Sequence, residues 1–375
     1  ITAVRLNSCE LPVKSCIILI IMRLSIPFNA KEEYIQFIAK QPSCFSSLYF
    51  PLDIDWNLSA RLRFDQTNLA DSIKSLSRVT GIKKYCLLNT RFLDAGLYHD
   101  QSFLKRLLSS LEALYSSDNL NGIVFNDYYL LNALAEKKAS FMSRIEAVPG
   151  VNSMIDSVPK ASAVLELIEN SPFRMPGKLI ADRSLNRDIK ALEALAVFLK
   201  KNHPLIKLEL LANEGCILHC PFKLSHDALI AYSNTGRTDD RTFKINSKKG
   251  CFPYFFNSPH AFLKSPFIRP EDIHHYSGYA DSLKICGRTL GNRFLMNVIS
   301  SYTDGFFNGN LFELMDASSW MADHFFLDNT KLGSGFYKQI TNCTNQCKTC
   351  KVCLDLFKEA ASPLPLRLKS YKDCL

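Results

Sequence analysis

Arg23-Leu24-Ser25-Ile26-Pro27, running directly into Phe28-Asn29-Ala30-Lys31, is the stretch on which the fold turns. A short apolar run reads as a strand, and the helical spacing that follows (Lys31–Ala39) reads as its crossover helix. A dinucleotide-binding sheet would place G-x-G-x-x-G at this first turn, because only glycines let the backbone approach a pyrophosphate. Asn29-Ala30-Lys31 does not provide it. No G-x-x-x-x-G-K-[ST] phosphate loop occurs either.

Working outward, the same alternation recurs. Strands are expected at Arg23–Pro27, Ser47–Phe50, Tyr85–Asn89, Gly122–Phe125, Ser140–Ala147, Lys178–Ala181, Lys207–Leu211 and Ser282–Cys286. Helical spacing fills the intervals at Lys31–Ala39, Asn68–Thr80, Gln101–Tyr115, Ser157–Ile168, Asp188–Lys201 and about Asn292–Tyr302. Asn152, Ser157 and Asn186 are placed to cap the segments they precede. Eight strands separated by helices predict an α/β protein, a (β/α)8 TIM-like barrel, with an open doubly wound sheet as the competing arrangement.

Three segments do not fit the repeat. Residues 1–21 read as a non-native or disordered extension ahead of Met22, in preference to a signal peptide, since no small-residue cleavage site follows the apolar run. The connection from Leu211 to Ser282 is about seventy residues long, with helical spacing only near Leu224–Ala231. Loops at the C-terminal ends of barrel strands concentrate function, so this one is a candidate site. Residues 305–375 follow the last barrel helix as a Cys-rich extension, leaving the barrel at 22–304.

The 375 residues are 47% hydrophobic and 22% charged, enough for a sizeable core and against a disordered chain. The longest apolar run, Cys16–Met22, is far short of the ~20 residues of a membrane helix. A net charge of +9 favours anionic partners without amounting to a nucleic-acid signature. Thirteen unevenly spaced cysteines point to metal ligation in a reducing, cytoplasmic setting rather than to a disulfide framework.

Two clusters carry most of that signal. In Leu211-Ala-Asn-Glu-Gly-Cys-Ile-Leu-His-Cys-Pro-Phe222, a strand ends, Gly215 permits a tight turn, and Cys216 and Cys220 stand four apart ahead of a helix. Helix N–H groups there lower thiol pKa and can bond to cluster sulfides. Two buried free thiols on a turn is the competing reading. Cys251, in the same long loop, is the natural third ligand; His219, His226, Cys286 or a tail cysteine would be the fourth. The second cluster is Cys343-Thr-Asn-Gln-Cys347-Lys-Thr-Cys350-Lys-Val-Cys353. Thiols this close suit zinc or an iron–sulfur cluster, and the C-x2-C-x2-C core resembles ferredoxin ligation with Leu354 in place of proline.

Elsewhere, Arg269 and Arg288 near strand ends are candidates to grip a carboxylate or phosphate, while Glu271 and Asp272 read as helix-capping residues. Asn89, Asn126, Asp127, Glu146, Asn152, Asp182 and Arg183 also lie near strand ends. Neither G-x-S-x-G nor H-E-x-x-H is present.

At Ile180-Ala-Asp-Arg-Ser-Leu-Asn-Arg-Asp188, Leu211–Phe222, Phe267-Ile-Arg-Pro-Glu-Asp272, Lys284-Ile-Cys-Gly-Arg288 and Gly309-Asn310 the sequence resembles the peptidase U32 family. The resemblance spans roughly 22 to 353. It implies a TIM-like barrel and, despite the family name, an iron–sulfur protein supporting oxygen-independent hydroxylation of a ubiquinone precursor or of RNA bases. It assigns a 4Fe-4S cluster to Cys216, Cys220 and Cys251, with the fourth ligand unmatched. The tail set Cys343, Cys347, Cys350 and Cys353 either completes that cluster or holds a second one, or zinc. Asn213, Glu214, Arg269 and Arg288 are the substrate-binding candidates. The expected partners are an anionic small molecule or RNA, with a second family member or an electron-donor protein; peptidase activity and a non-catalytic binding module are the alternatives.

Overall fold

The computed structural model describes residues 22–52, 54–61, 68–237 and 242–365. The expectations for residues 1–21 lie outside them. Eight parallel strands, β1 (Arg23–Pro27), β2 (Phe45–Pro51), β3 (Lys83–Leu88), β4 (Gly122–Phe125), β5 (Glu146–Pro149), β6 (Lys178–Ile180), β7 (Lys207–Leu211) and β8 (Ser282–Lys284), lie in the order β5-β4-β3-β2-β1-β8-β7-β6. The β5–β6 gap is closed just ahead of β6: Ala147 N donates to Arg174 O at 3.1 Å and Arg174 N to Ile145 O at 3.0 Å. The sheet is thus a nearly closed TIM-like barrel, as the strand count predicts.

The crossover helices are α1 (Glu32–Ala39), α2 (Leu69–Leu76), α3 (Gln101–Ser116), α4 (Tyr128–Ala135), α5 (Val158–Glu169) and α6 (Ile189–Asn202). The long connection holds α7 (Lys223–Asn234), α8 (Thr242–Lys249) and α9 (Cys251–Asn257), and α10 (Gly291–Asp304) follows β8. The extension adds α11 (Phe336–Thr341) and α12 (Val352–Ala360), with β9 (Phe325–Leu327) antiparallel to β10 (Ala361–Pro363).

Period-two alternation sorts each strand between barrel interior and helix layer. Leu24, Ile26, Leu48, Leu179, Leu208, Leu210 and Leu283 face outward into one buried cluster under the helices. Phe50, Cys86, Leu88, Ile123, Phe125 and Ala147 do the same on the opposite side. Facing inward are two layers. The upper is apolar: Tyr49, Leu87, Val124, Val148 and Ile180. The lower is polar, with Lys178 Nζ bonded to Glu209 Oε2 at 2.9 Å and to the hydroxyls of Ser47 at 2.8 Å and Ser25 at 3.1 Å. A buried ion pair of this kind survives because its remaining donors and acceptors are also matched.

Several local expectations change. Ser140–Arg144 is a 3-10 helix and the strand begins only at Glu146. Glu146 sits at the barrel floor, accepting from Lys83 Nζ at 2.9 Å, Tyr85 Oη at 2.8 Å and Gly177 N at 2.8 Å, and does not line the mouth. Ser157 precedes α5 without a side-chain cap, Asn152 lies inside a 3-10 turn, and Asp188 rather than Asn186 caps α6. Asp272 caps nothing, being drawn to Arg269. The long connection is largely helical. The extension is not a detached tail: Leu311, Phe312, Met315, Leu327, Phe336 and Phe357 bury in the same cluster as β1, β7 and β8.

Candidate active site at the barrel mouth

The C-terminal ends of β2, β3, β7 and β8 meet at a small cavity of about 60 Å³, lined by Tyr49, Leu87, Leu211 and Lys284 with Arg61, Glu214, Cys286 and Arg288 above them. Asp316, from the extension, completes the wall. The extension holds this rim through its backbone: Asp316 N donates to Asn213 O at 2.8 Å and Ala317 N to Glu214 O at 2.7 Å.

Charge on the rim is largely paired. Arg61 Nη2 is 2.8 Å from Asp316 Oδ2 and 4.0 Å from Glu214 Oε1. The Asp316 carboxylate beside it raises the Arg61 pKa. Arg183 pairs with Glu214 through Nη1 and donates to Asn152 Oδ1 through Nη2 at 3.1 Å. Lys223 donates to the same Asn152 oxygen at 2.9 Å and pairs with Asp227; burial, reinforced by Arg183, brings its pKa down to about 8. Glu214 is therefore clamped between two guanidiniums.

Two nitrogens on this rim are buried with no hydrogen-bond partner: Lys284 Nζ and Arg288 Nη1. The Lys284 ammonium position lies 3.3 Å from the Tyr49 ring centroid, within the apolar layer. Burial lowers the Lys284 pKa to about 7 and that of Arg288 to about 10. Sequence reading singled out Arg288 but missed Lys284. The available signal was a lysine at an inward position of the last strand, two residues beyond inward-facing Ser282.

The other two substrate-binding candidates are committed to structure. Arg269 is 2% exposed, and its Nε and Nη2 bond Asp272 at 2.7 and 3.0 Å. Its Nη2 also donates to Gly333 O at 2.8 Å, so this arginine anchors the extension instead of facing the mouth. Asn213 is fully buried, donating to Leu314 O at 2.8 Å and accepting from Cys286 N at 2.7 Å. Of the polar residues near strand ends, Asp127 caps α4 and Asp182 caps the following 3-10 turn. Asn126 donates to Asn89 O at 2.8 Å.

All seven candidate metal ligands are free thiols. Gly215 turns the chain at φ +72°, and a Cβ there would clash with Ser318 Oγ. Cys216 follows, in the electrostatic neighbourhood of Cys220, Arg183 and Lys223. Burial pushes the Cys216 thiol up to about 11, the opposite of the lowering expected at a helix start. Cys220 does accept from the N–H groups of Phe222 and Lys223, as that expectation requires, yet burial outweighs them and its pKa is raised. Cys251 opens α9 and feels Cys220 as a neighbour. Cys286 lines the mouth cavity with Lys284 and Arg288.

The tail cysteines lie over a second, larger cavity of about 680 Å³. Cys343, Cys350 and Cys353 line it from one side and Leu218 and His219, from the turn between Cys216 and Cys220, from another. Cys347 bonds to Lys264 nearby. The donor set suits a thiolate-ligated group in kind. In position it is not a closed site: among the described residues no three His, Cys, Asp or Glu side chains stand close enough to hold a metal ion. Nor, among those residues, is any helix long and apolar enough to cross a membrane.

No family model matches the chain. A curated protein described as an uncharacterized protease, from Methanocaldococcus jannaschii, is 29% identical over 259 residues, spanning 69% of this chain and 70% of its own length. A solved structure described as that of a U32 peptidase overlaps with a TM-score of 0.45 at 16% identity, covering 70% of this chain and 92% of that one. The motifs at Leu211–Phe222 and Phe267–Asp272 are those in which the chain resembles the peptidase U32 family, and its similarity over 69% of its length to a protein described as a protease is consistent with that resemblance.

Proposed function

We propose that the chain is an iron–sulfur protein that carries out a hydroxylation or related redox modification of an anionic substrate at the barrel mouth. The observation that carries this reading is the meeting of two distant cysteine-bearing segments at one cavity: the Cys216–Cys220 turn and the Cys343–Cys353 tail. Cys216, Cys220 and Cys251 would hold one group and Cys343, Cys347, Cys350 and Cys353 a second, with zinc as the other occupant of the tail. A thiolate-bound cluster supplies one-electron transfer.

The protein's own groups account for substrate binding. Arg288 Nη1 and Lys284 Nζ offer unpaired donors to an anion. Glu214, held by Arg183 and Arg61, keeps the Cys216 turn in register with the mouth. Tyr49, Leu87 and Leu211 present apolar walls that limit water. A cavity of about 60 Å³ favours a small anion over RNA, and filter binding with a steep salt dependence would instead favour RNA.

Protein purified without oxygen should contain about four irons and four sulfides per cluster and absorb broadly in the visible. Colourless protein carrying only zinc refutes the reading. The description of the Methanocaldococcus relative as a protease supports a second reading, peptide hydrolysis. Cleavage of a denatured protein that survives Cys216→Ala but stops with a chelator would establish it.

A further inference from the structure

We propose that the cavity of about 680 Å³ beside the tail is a second binding site, for a small organic anion with a carboxylate or phosphate head and an apolar body, the head being held by Arg187. The cavity opens between the start of α6, α11 and the tail, and none of its lining residues lines the mouth cavity. Its volume falls in the range of small-molecule sites, about 300–1,000 Å³.

Arg187 is the anchor for the head group. It is 8% exposed and stands just ahead of α6. Nε donates to Ser265 O at 3.1 Å, and Nη2 donates to the same oxygen and to Leu263 O. Nη1 is buried with no hydrogen-bond partner. Tyr276, Asp272, Cys353 and Cys343 act on the guanidinium through space, and Asp272, the one carboxylate among them, has both oxygens bonded to Arg269. The guanidinium is therefore fixed by backbone carbonyls with one arm left unbonded. A guanidinium that serves only to tie segments together has every nitrogen matched, as Arg269 has. A buried donor without a partner costs free energy that an arriving oxyanion recovers, and a guanidinium suits carboxylate and phosphate alike.

The rest of the lining fits the same ligand. Lys190, Lys264 and Lys338 stand round the cavity with Arg187. Among the described lining residues the one carboxylate is Asp188, whose Oδ1 caps α6 through Ala191 N at 3.0 Å. Leu218, Leu263, Ile340 and Val352 supply apolar wall, which a bare inorganic ion would leave uncovered. Cys343, Cys350 and Cys353 share the cavity, so the anion would lie beside whatever the tail holds. The contacts named here need no metal. The proposal therefore goes beyond the redox reading, and a failure to bind and a negative iron analysis are separate outcomes.

The test is lysine protection on the full chain. Protein is acetylated near neutral pH in rising concentrations of phenyl phosphate, phenylacetate, benzyl alcohol or inorganic phosphate, and peptide mass spectrometry reads the rate at each lysine. One or both aromatic anions should slow acetylation of exposed Lys190 and Lys338 with a common midpoint, while exposed Lys105 is unaffected. The lower midpoint identifies the head group preferred. Benzyl alcohol and inorganic phosphate should each need at least about tenfold more, for want of the head or of the body. Arg187→Lys keeps a charge beside Ser265 O but lacks the unbonded arm, and should raise the midpoint about tenfold. Where that variant does not fold, Lys190→Gln, read at Lys338, should raise it about threefold, as befits an exposed charge. The proposal is overturned if neither aromatic anion protects, if Lys105 is protected equally, if benzyl alcohol matches the anions, or if the midpoint is unchanged in the variant that folds. Inorganic phosphate as effective as phenyl phosphate overturns the apolar half of the site.

Discussion

Replacing Arg269 by alanine separates a structural from a ligand-binding role. The side chain is 2% exposed, and it joins Asp272 by two hydrogen bonds of 2.7 and 3.0 Å, Gly333 O by one of 2.8 Å, and lies 4.7 Å over the Phe336 ring. Phe336 and Gly333 belong to the extension, so one guanidinium ties that segment to the barrel. Removing it leaves Asp272 as a buried, unpaired carboxylate, and breaking a buried pair on one side costs about 3–5 kcal/mol. The loss should appear in urea unfolding followed by tryptophan fluorescence, since Trp320 belongs to the extension. The double variant Arg269→Met, Asp272→Leu should be clearly more stable than Arg269→Ala, because no orphaned charge remains. An Arg269→Ala protein losing less than about 1 kcal/mol, the range of an exposed pair, would refute this account and return the arginine to the substrate candidates.

Four further outcomes follow from the same geometry. Asn213→Ala should cost about 2–6 kcal/mol by thermal or urea denaturation, as it strands the Cys286 amide and the Leu314 carbonyl at about 1–3 kcal/mol each. Gly215→Ala should destabilise by at least about 1–2 kcal/mol, for the left-handed backbone alone, with the Ser318 clash in addition; Ser318→Gly in the same chain should recover part of the loss. Lys284 binds its proton less readily folded than unfolded, its pKa falling from the usual lysine range to about 7. Between those values the unfolded chain holds the extra proton, so stability should rise with pH from about 7 to 10, and Lys284→Met should flatten that rise. Finally, alanine at Cys347 and Cys350 should remove iron or zinc from protein purified without oxygen while leaving any iron bound at Cys216, Cys220 and Cys251; unchanged metal content would place the metal elsewhere.

Much of the barrel was legible because each strand obeys a local rule. Gly122–Phe125 and Lys207–Leu211 are found at the positions expected, since apolar alternation bounded by turns is written in consecutive residues. The exceptions are where two rules compete. Ser140–Arg144 has the apolar residues of a strand but spends them as a 3-10 turn that buries Phe141 and Met142. In the Leu211–Ser282 connection, α8 is highly charged, so helical periodicity had little apolar signal to show. Asp188 takes the capping role expected of Asn186 because Asn186 is drawn inward, donating to Leu211 O at 2.7 Å and Pro266 O at 2.6 Å.

The mouth was less legible than the barrel. Arg269 and Arg288 look equivalent as arginines near strand ends, yet one is saturated and the other keeps an unpaired nitrogen. Nothing near Lys284 in the chain announces its isolation, since Tyr49 and Leu211 approach it only after the sheet closes. What the chain order determined unaided was the repeating strand–helix alternation, the thiol spacing and the family motifs, all short-range patterns governed by periodicity and stereochemistry. Which charges find partners was decided only by tertiary structure, because pairing depends on burial and on neighbours drawn from strands and loops far apart in the chain.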